Sequence, residues 1–463
     1  MSWEALGENQ RNPDGAHFRL AYLLVSALAL GWLYWQFAHT NRTLTERPRQ
    51  LALYFLAFTV FTIATILVWR VPSTLSRRLA LPIIIAALAF RIAVAPVRAT
   101  TTSDIYRYIW EGKVVRERMN PYLYAPEAPE LAPQRDWVWP LVQHKSVSAA
   151  YPPAAVGVFV LAGLAPLNPI LGLKLVLGLF DALTVLLLAD LLRRLGRPTA
   201  WVIAYAWHPL IICEVVARGH LDSIGIFFLV LSLRLLLVSS ATGRVLSGTV
   251  LSLSILSKGY ALFVLPFTLL AAKPRRRAFA LGLAAATLLL YLPFLSAGAN
   301  LFRGMEAYTQ QWSGNASIFA LIRLAFSPFV ANPDRLARLV CAALLAIWLT
   351  WLLVTSRRFD SLSEVMRLSL RALVGFFLFA TTVYPWYLAW TVPFLCFEHS
   401  LPLLALTGTI FAFYAHDFAG HHAEIWWVTV GEYGLPLLLA VALYVKARRG
   451  SDKTTRGGMR PPS

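Results

Sequence analysis

Charge and cysteine are scarce in this sequence. Only 14% of its 463 residues are charged while 58% are apolar, a composition that cannot cover a soluble surface. The three cysteines, Cys213, Cys341 and Cys396, sit in apolar runs without CxxC or Cys/His spacing. That excludes a disulfide framework and a thiolate zinc site. Acidic residues number 23 against 42 basic ones, a formal charge of +19. The basic residues lie in short clusters between apolar runs, which is the positive-inside pattern and not the continuous stripe of a nucleic-acid surface. No repeat of fixed period is present, which weighs against the duplicated halves of many transporters. The first apolar run follows a polar stretch with Glu4, Glu8 and Asp14 and has no A-x-A site, so a retained spanning helix is expected there and not a signal peptide.

Apolar runs dominate what is present, each long enough to cross a hydrocarbon core of about 30 Å at 1.5 Å per residue. Expected spans are Phe18–Phe37, Leu51–Trp69, Leu79–Val97, Leu171–Leu192, Thr199–Val216, Leu221–Val238 and Val245–Ser257. Gly259–Ala272, Phe279–Leu295, Leu336–Thr355, Val365–Thr381, Tyr387–Phe397, Leu401–Ala415 and Val428–Val445 follow. The fold class is therefore all-α, a polytopic integral membrane protein with about 14 transmembrane helices (range about 11 to 14). The spread arises at Val245–Ala272, which reads as one broken helix or two short ones around Lys258 and Gly259.

The basic clusters at 193–197, 273–277 and 356–358 and the tail from Lys446 mark the cytoplasmic face. The polar loops at 98–151, 217–220, 296–335, 382–386 and 416–427 then share the opposite face. Pro152–Leu167 is apolar, but a crossing there would put the 193–197 cluster outside, so it is expected to be interfacial or re-entrant. One membrane-embedded domain results: N-terminal spans 1–97, a large non-cytoplasmic loop 98–170 with juxtamembrane helices, spans over 171–445, and a basic cytoplasmic tail 446–463.

The loop at 98–151 opens "SDIYRYIWEG", where Asp104, Arg107, Tyr108 and Glu111 follow i, i+3, i+4, i+7 spacing and share a helix face. A carboxylate beside aromatic rings suits removal of a hydroxyl proton from a sugar bound against those rings. An amphipathic interfacial helix capped by Ser103 or Asp104 has the same spacing. Further along, "EVVARGHLDS" buries Glu214 in an apolar run and brings Arg218, His220 and Asp222 to a membrane exit. Ionisable groups at that depth are costly and point to function, with headgroup-wetted interfacial residues as the alternative. Lys258 is a lone cation suited to a phosphate arriving from the bilayer, or to snorkelling. Tyr308, Trp312, Asn315, Tyr384, Trp386 and Tyr387 reach the same face, as an aromatic belt also would. His416, Asp417, His421, His422 and Glu424 depart from HExxH spacing, so no metal and no cofactor is expected.

The ordered set "SDIYRYIWEG…NPYLYAP…YPP…WHPL…E…GHLD…K…YPWYLAW", over Ser103 to Trp390, resembles the bacterial polyprenyl-phosphate-sugar-dependent mannosyltransferases of the GT-C superfamily. The resemblance implies a catalytic carboxylate in the first large non-cytoplasmic loop, a polyprenyl-phosphate-sugar donor entering from the bilayer, and a glycan or glycolipid acceptor. It makes Asp104 the general base for an inverting transfer of a hexose, expected to be mannose, with Arg107 and Glu111 beside it. It offers Lys258, Arg218, His220 and Arg107 for the donor phosphate. Tyr108, Asn120, Tyr122, Tyr151, Asp222, Trp312, Trp386 and Tyr387 fall at substrate-binding positions. Two features depart from the family pattern: "WHP" stands where W-N-P is usual, and three spans precede the loop instead of one. Membrane lipid is the expected surroundings, a bacterial inner membrane with both termini cytoplasmic and the site on the non-cytoplasmic face. A transporter or lipid flippase would use Lys258 and Glu214 equally well, and a noncatalytic assembly subunit is a third reading.

Overall fold

Prolines and small polar caps set where helices begin in this chain. Pro48, Pro169, Pro333 and Pro402 sit in first turns, where the missing N–H costs nothing. The side chains of Asn168, Ser240, Asn332, Ser361 and Ser400 accept the first exposed backbone N–H groups of their helices. The computed structural model describes residues 13–41, 43–71, 73–97, 103–164, 167–356, 359, 361–419 and 425–457. Among them the ordered secondary structure is helical, apart from one isolated bridge between Gly314 and Thr382.

Among the described residues three helices precede the large loop: α1 (Pro13–Ala38), α2 (Arg47–Trp69) and α3 (Ser73–Val94). The loop carries α4 (Asp104–Arg116) and α5 (Pro153–Ala162). Next come α6 (Pro169–Arg194), α7 (Ile203–Ala206) running into a wide π-turn at Ile211–Ala217, α8 (Asp222–Leu235), α9 (Ala241–Lys258) and α10 (Leu265–Ala271). The last part holds α11 (Arg276–Tyr291), α12 (Arg303–Gln311), α13 (Ile318–Phe326), α14 (Pro333–Thr355) and α15 (Leu362–Phe379). A 3₁₀ segment at Pro385–Cys396, α16 (Leu401–Thr409) and α17 (Trp426–Gly457) complete it.

Among the described residues seven helical stretches are long and apolar enough to cross a membrane, and Thr199–Ala206 with Ile211–Ala217, bent by 63°, makes an eighth if the pair is one span. The remaining expected spans fall on helices that miss in length, apolarity or charge. α10 has seven residues, Pro385–Cys396 has 12, and α3 carries Arg77, Arg78 and Arg91. The ambiguous stretch at 245–272 is broken: Gly259, at φ +85°, ends α9, and a short turn leads into α10. Only a residue without Cβ takes that left-handed conformation cheaply. α5 has ten residues, about 15 Å of helix, too short to cross.

Close packing at α9 and α11 rests on two glycines. A Cβ on Gly248 would lie 2.0 Å from the Phe279 carbonyl oxygen, and one on Gly282 would lie 2.0 Å from that of Val245. With lipid as solvent, such backbone approach supplies the attraction that hydrophobicity cannot. Side chains join the loops in two groups. Arg47 pairs with Asp417, Asn120 bonds Ser296, and Lys258 bonds Asp222 at one end. At the other, Arg234 joins Asp190, Arg244 donates to Ala272, and His399 stacks on Trp69 and meets Trp201 edge-on.

Candidate active site

Asp104 opens α4, where the helix dipole favours a negative charge, and its side chain is 35% exposed. Ser103 precedes it without a side-chain cap bond. The face shared by Asp104, Arg107, Tyr108 and Glu111 divides in two. Arg107 binds Glu111 at 2.6 Å and donates to the carbonyls of Gln143, His144, Val147 and Ser148. Its guanidinium therefore ties the far side of the loop to α4 and has no donor left over for a phosphate. Glu111 is buried, and burial raises its carboxyl above the usual range against the pull of Arg107.

Tyr108 turns the other way, its ring stacked on Phe159 of α5 and its hydroxyl 3.4 Å from that of Tyr151. Burial first, and then the charge of Asp104, push the Tyr151 phenol well up, so it stays a neutral donor. Tyr122 donates to the Tyr151 carbonyl at 2.8 Å, and Asn120 donates to Phe294 and Ser296. Both of these fasten the loop. α4 and α5 pack closely beneath these rings: a Cβ on Gly112 would lie 2.6 Å from the Phe159 carbonyl oxygen.

The turn after the π-helical segment hinges on Gly219, at φ +79°. It aims His220 at Asp104, with Nδ1 3.6 Å from Oδ2. On the other edge His220 Nε2 lies 3.4 Å from Glu214, and the ring stacks on Trp386 at 4.0 Å and 10°. Arg218 is buried against Glu214 at 2.5 Å and covers the Tyr414 ring at 4.2 Å. Asp222 takes Lys258 on both oxygens at 2.8 Å and the Trp390 indole N–H at 2.7 Å. Lys258 also stands over the Tyr387 ring at 4.6 Å. Tyr387 shares a hydrogen bond with Tyr308, whose ring lies beside Trp312. Trp312 meets His144 edge-on at 4.8 Å, and the backbones of Gly314 and Val383 stitch the two late loops together.

One end of the bundle thus holds Asp104, with His220 and Glu214 behind it, the Lys258–Asp222–Trp390 group to one side, and a wall of tyrosines and tryptophans. Glu214 was legible only as a buried acid, and Trp390 and Gln50 were not legible as partners of Asp222 and Arg218. The C-terminal histidine cluster is divided: Asp417 pairs with Arg47, His416 accepts from the Ile425 N–H, and His421, His422 and Glu424 lie outside the described residues. The sequence pattern of a family described as alpha-(1->6)-mannopyranosyltransferase, N-terminal domain, matches residues 15–274. The chain belongs to that family. It is a mannosyltransferase family of GT-C type, and the match takes in Asp104, His220, Asp222 and Lys258. Tyr308, Trp386, Tyr387 and Trp390 lie beyond it. No curated protein matches the chain.

Proposed function

We propose that this mannosyltransferase-family protein moves a mannosyl unit from a polyprenyl-phosphate donor to a glycan or glycolipid acceptor, inverting the anomeric carbon with Asp104 as general base. The observation that carries this reading is Asp104 itself, a partly exposed carboxylate at a helix start beside buried cations and aromatic rings. The acceptor hydroxyl would give its proton to Asp104 while its oxygen attacks the sugar and the phosphate leaves with the bonding electrons. Lys258 is the favoured group for that phosphate: Asp222 and Trp390 fix its position, and its third N–H is not committed to Asp222. Tyr108, Tyr151, Tyr387, Trp312 and Trp386 would wall the sugar. Arg107, Glu111, Asn120 and Tyr122 hold the loop in this reading, and Arg218 serves Glu214.

We read the shorter and bent helices as partial crossings, for about 14 in all, with the Asp104 end non-cytoplasmic and the basic end in the cytoplasm of a bacterial cell. The alternation of the two groups of loop contacts along the chain supports this. Transfer of labelled mannose from synthetic polyprenyl-phosphate mannose by purified protein tests the reading, wild type against Asp104→Asn. Full activity in the variant removes Asp104 as base, and a product that keeps the donor's anomeric configuration rules out single displacement. Cysteines placed at Ser103 and Ser356 must label from opposite sides.

A further inference from the structure

His220 was expected to touch the donor phosphate, yet its surroundings are those of a group already enclosed by anions. The imidazole is 1% exposed. One edge faces Asp104 at 3.6 Å, the other faces Glu214 at 3.4 Å, and one ring face is covered by Trp386 at 4.0 Å. A phosphate could reach a ring nitrogen only by displacing a carboxylate. Neither nitrogen makes a hydrogen bond of good geometry among the described residues, a costly arrangement for a buried polar ring.

The carboxylate behind the ring is itself seated. Glu214 accepts from Arg218 at 2.5 Å and from the Tyr414 hydroxyl at 3.1 Å. Gln50 of α2 accepts from Arg218 at 3.4 Å and from Arg47 at 2.5 Å. The α1–α2 hairpin therefore holds the last link of a chain that begins at Asp104.

We propose that His220 and Glu214 form a positioning pair for Asp104: the ring donates to both carboxylates and aims the Asp104 oxygen at the acceptor hydroxyl. This deepens the reading of Asp104 as base and rests on it. A neutral imidazole leaves one lone pair facing an anion, whereas a ring carrying both protons donates on both edges. As the acceptor oxygen bonds to the sugar and the sugar–phosphate bond breaks, the acceptor's proton passes to Asp104 and from there to water. Both His220 protons stay on the ring throughout. The groups facing His220 are Asp104 from α4, Glu214 from the π-helical segment with Arg218 and Tyr414 on it, and the Trp386 ring.

The test uses the full-length protein with polyprenyl-phosphate mannose, comparing wild type, H220A, H220Q and E214Q. The expected result is kcat lower by about tenfold or more in H220A and E214Q with donor KM nearly unchanged. H220Q, which keeps one N–H donor, recovers part of the loss. A donor KM raised about tenfold with kcat kept would make His220 a phosphate contact and overturn the proposal, as would an H220Q variant no better than H220A. ¹⁵N-histidine spectra of the solubilised protein give a readout without transfer. The resonance pair missing in H220Q is expected to show two protonated nitrogens, one perturbed by D104N and the other by E214Q. A neutral ring overturns the pair even where no donor is used, and failure of wild type with every donor counts against the transfer reading alone.

Discussion

Two buried ionic clusters in this bundle have similar parts and different surroundings. Arg91, Asp181 and Tyr205 join α3, α6 and the helix at 203–206, with 2.5 Å contacts from both donors to Asp181. Arg91 also reaches the carbonyls of Ala87 and Ala206, and the Arg91 and Asp181 side chains are 4% and 0% exposed. At the site end, Glu214, Arg218 and Asp222 are buried too and the Lys258 side chain is 8% exposed, but the group ends in Asp104 at 35% exposure, beside a wall of aromatic rings. The first cluster is closed on itself and serves to register three helices. The second is partly open at one carboxylate, and that opening is where we propose that substrate meets it. Burial of charge alone does not separate the two clusters, since both have it.

The comparison can be broken by substitutions on each side. The largest expected effect is on the open cluster: Asp104→Asn should lower mannosyl transfer by about 10²- to 10⁴-fold, the usual worth of a general base, while the thermal melt of the solubilised protein stays put. Asp181→Ala leaves Arg91 buried without its carboxylate and should cost about 3–5 kcal/mol of stability, read by denaturant unfolding in detergent. The protein that remains folded should keep its kcat, and a selective loss of transfer would erase the distinction. Lys258→Met should do some of both, because it removes the proposed phosphate contact and strands Asp222. A loss of about 10- to 100-fold in kcat is expected with about 3 kcal/mol of stability, the first by labelled transfer and the second by unfolding. The smallest effect sharpens the link between α2 and the site: Gln50→Leu should lower kcat by about two- to fivefold with donor KM unchanged.

Much of the open cluster was readable along the chain. The spacing from Asp104 to Glu111, the Gly219 turn before His220 and Asp222, the break at Lys258 and Gly259, and the aromatic loops at 308–318 and 382–390 are local patterns. Local patterns follow from helix period and from the conformations glycine permits. What each side chain does in the assembled bundle was harder to read. The family resemblance offered Arg107 as a phosphate ligand, but the loop at 143–148 folds back and takes its donors. Trp390 sat in an apolar run like any other, and only the fold sets its indole N–H on Asp222, 168 residues away.

By itself the sequence determined the apolar surroundings, the helical class and the carboxylate at the start of α4, because partition into lipid and backbone satisfaction act residue by residue. Tertiary structure alone decided which helices fall short of a full crossing, that Lys258 is matched by Asp222, and that His220 stands between two acids. Those outcomes depend on contacts between segments far apart in the chain, Gln50 with Arg218 and Tyr414 with Glu214 among them. No local periodicity encodes such pairings; they exist only once packing has brought the helix ends together.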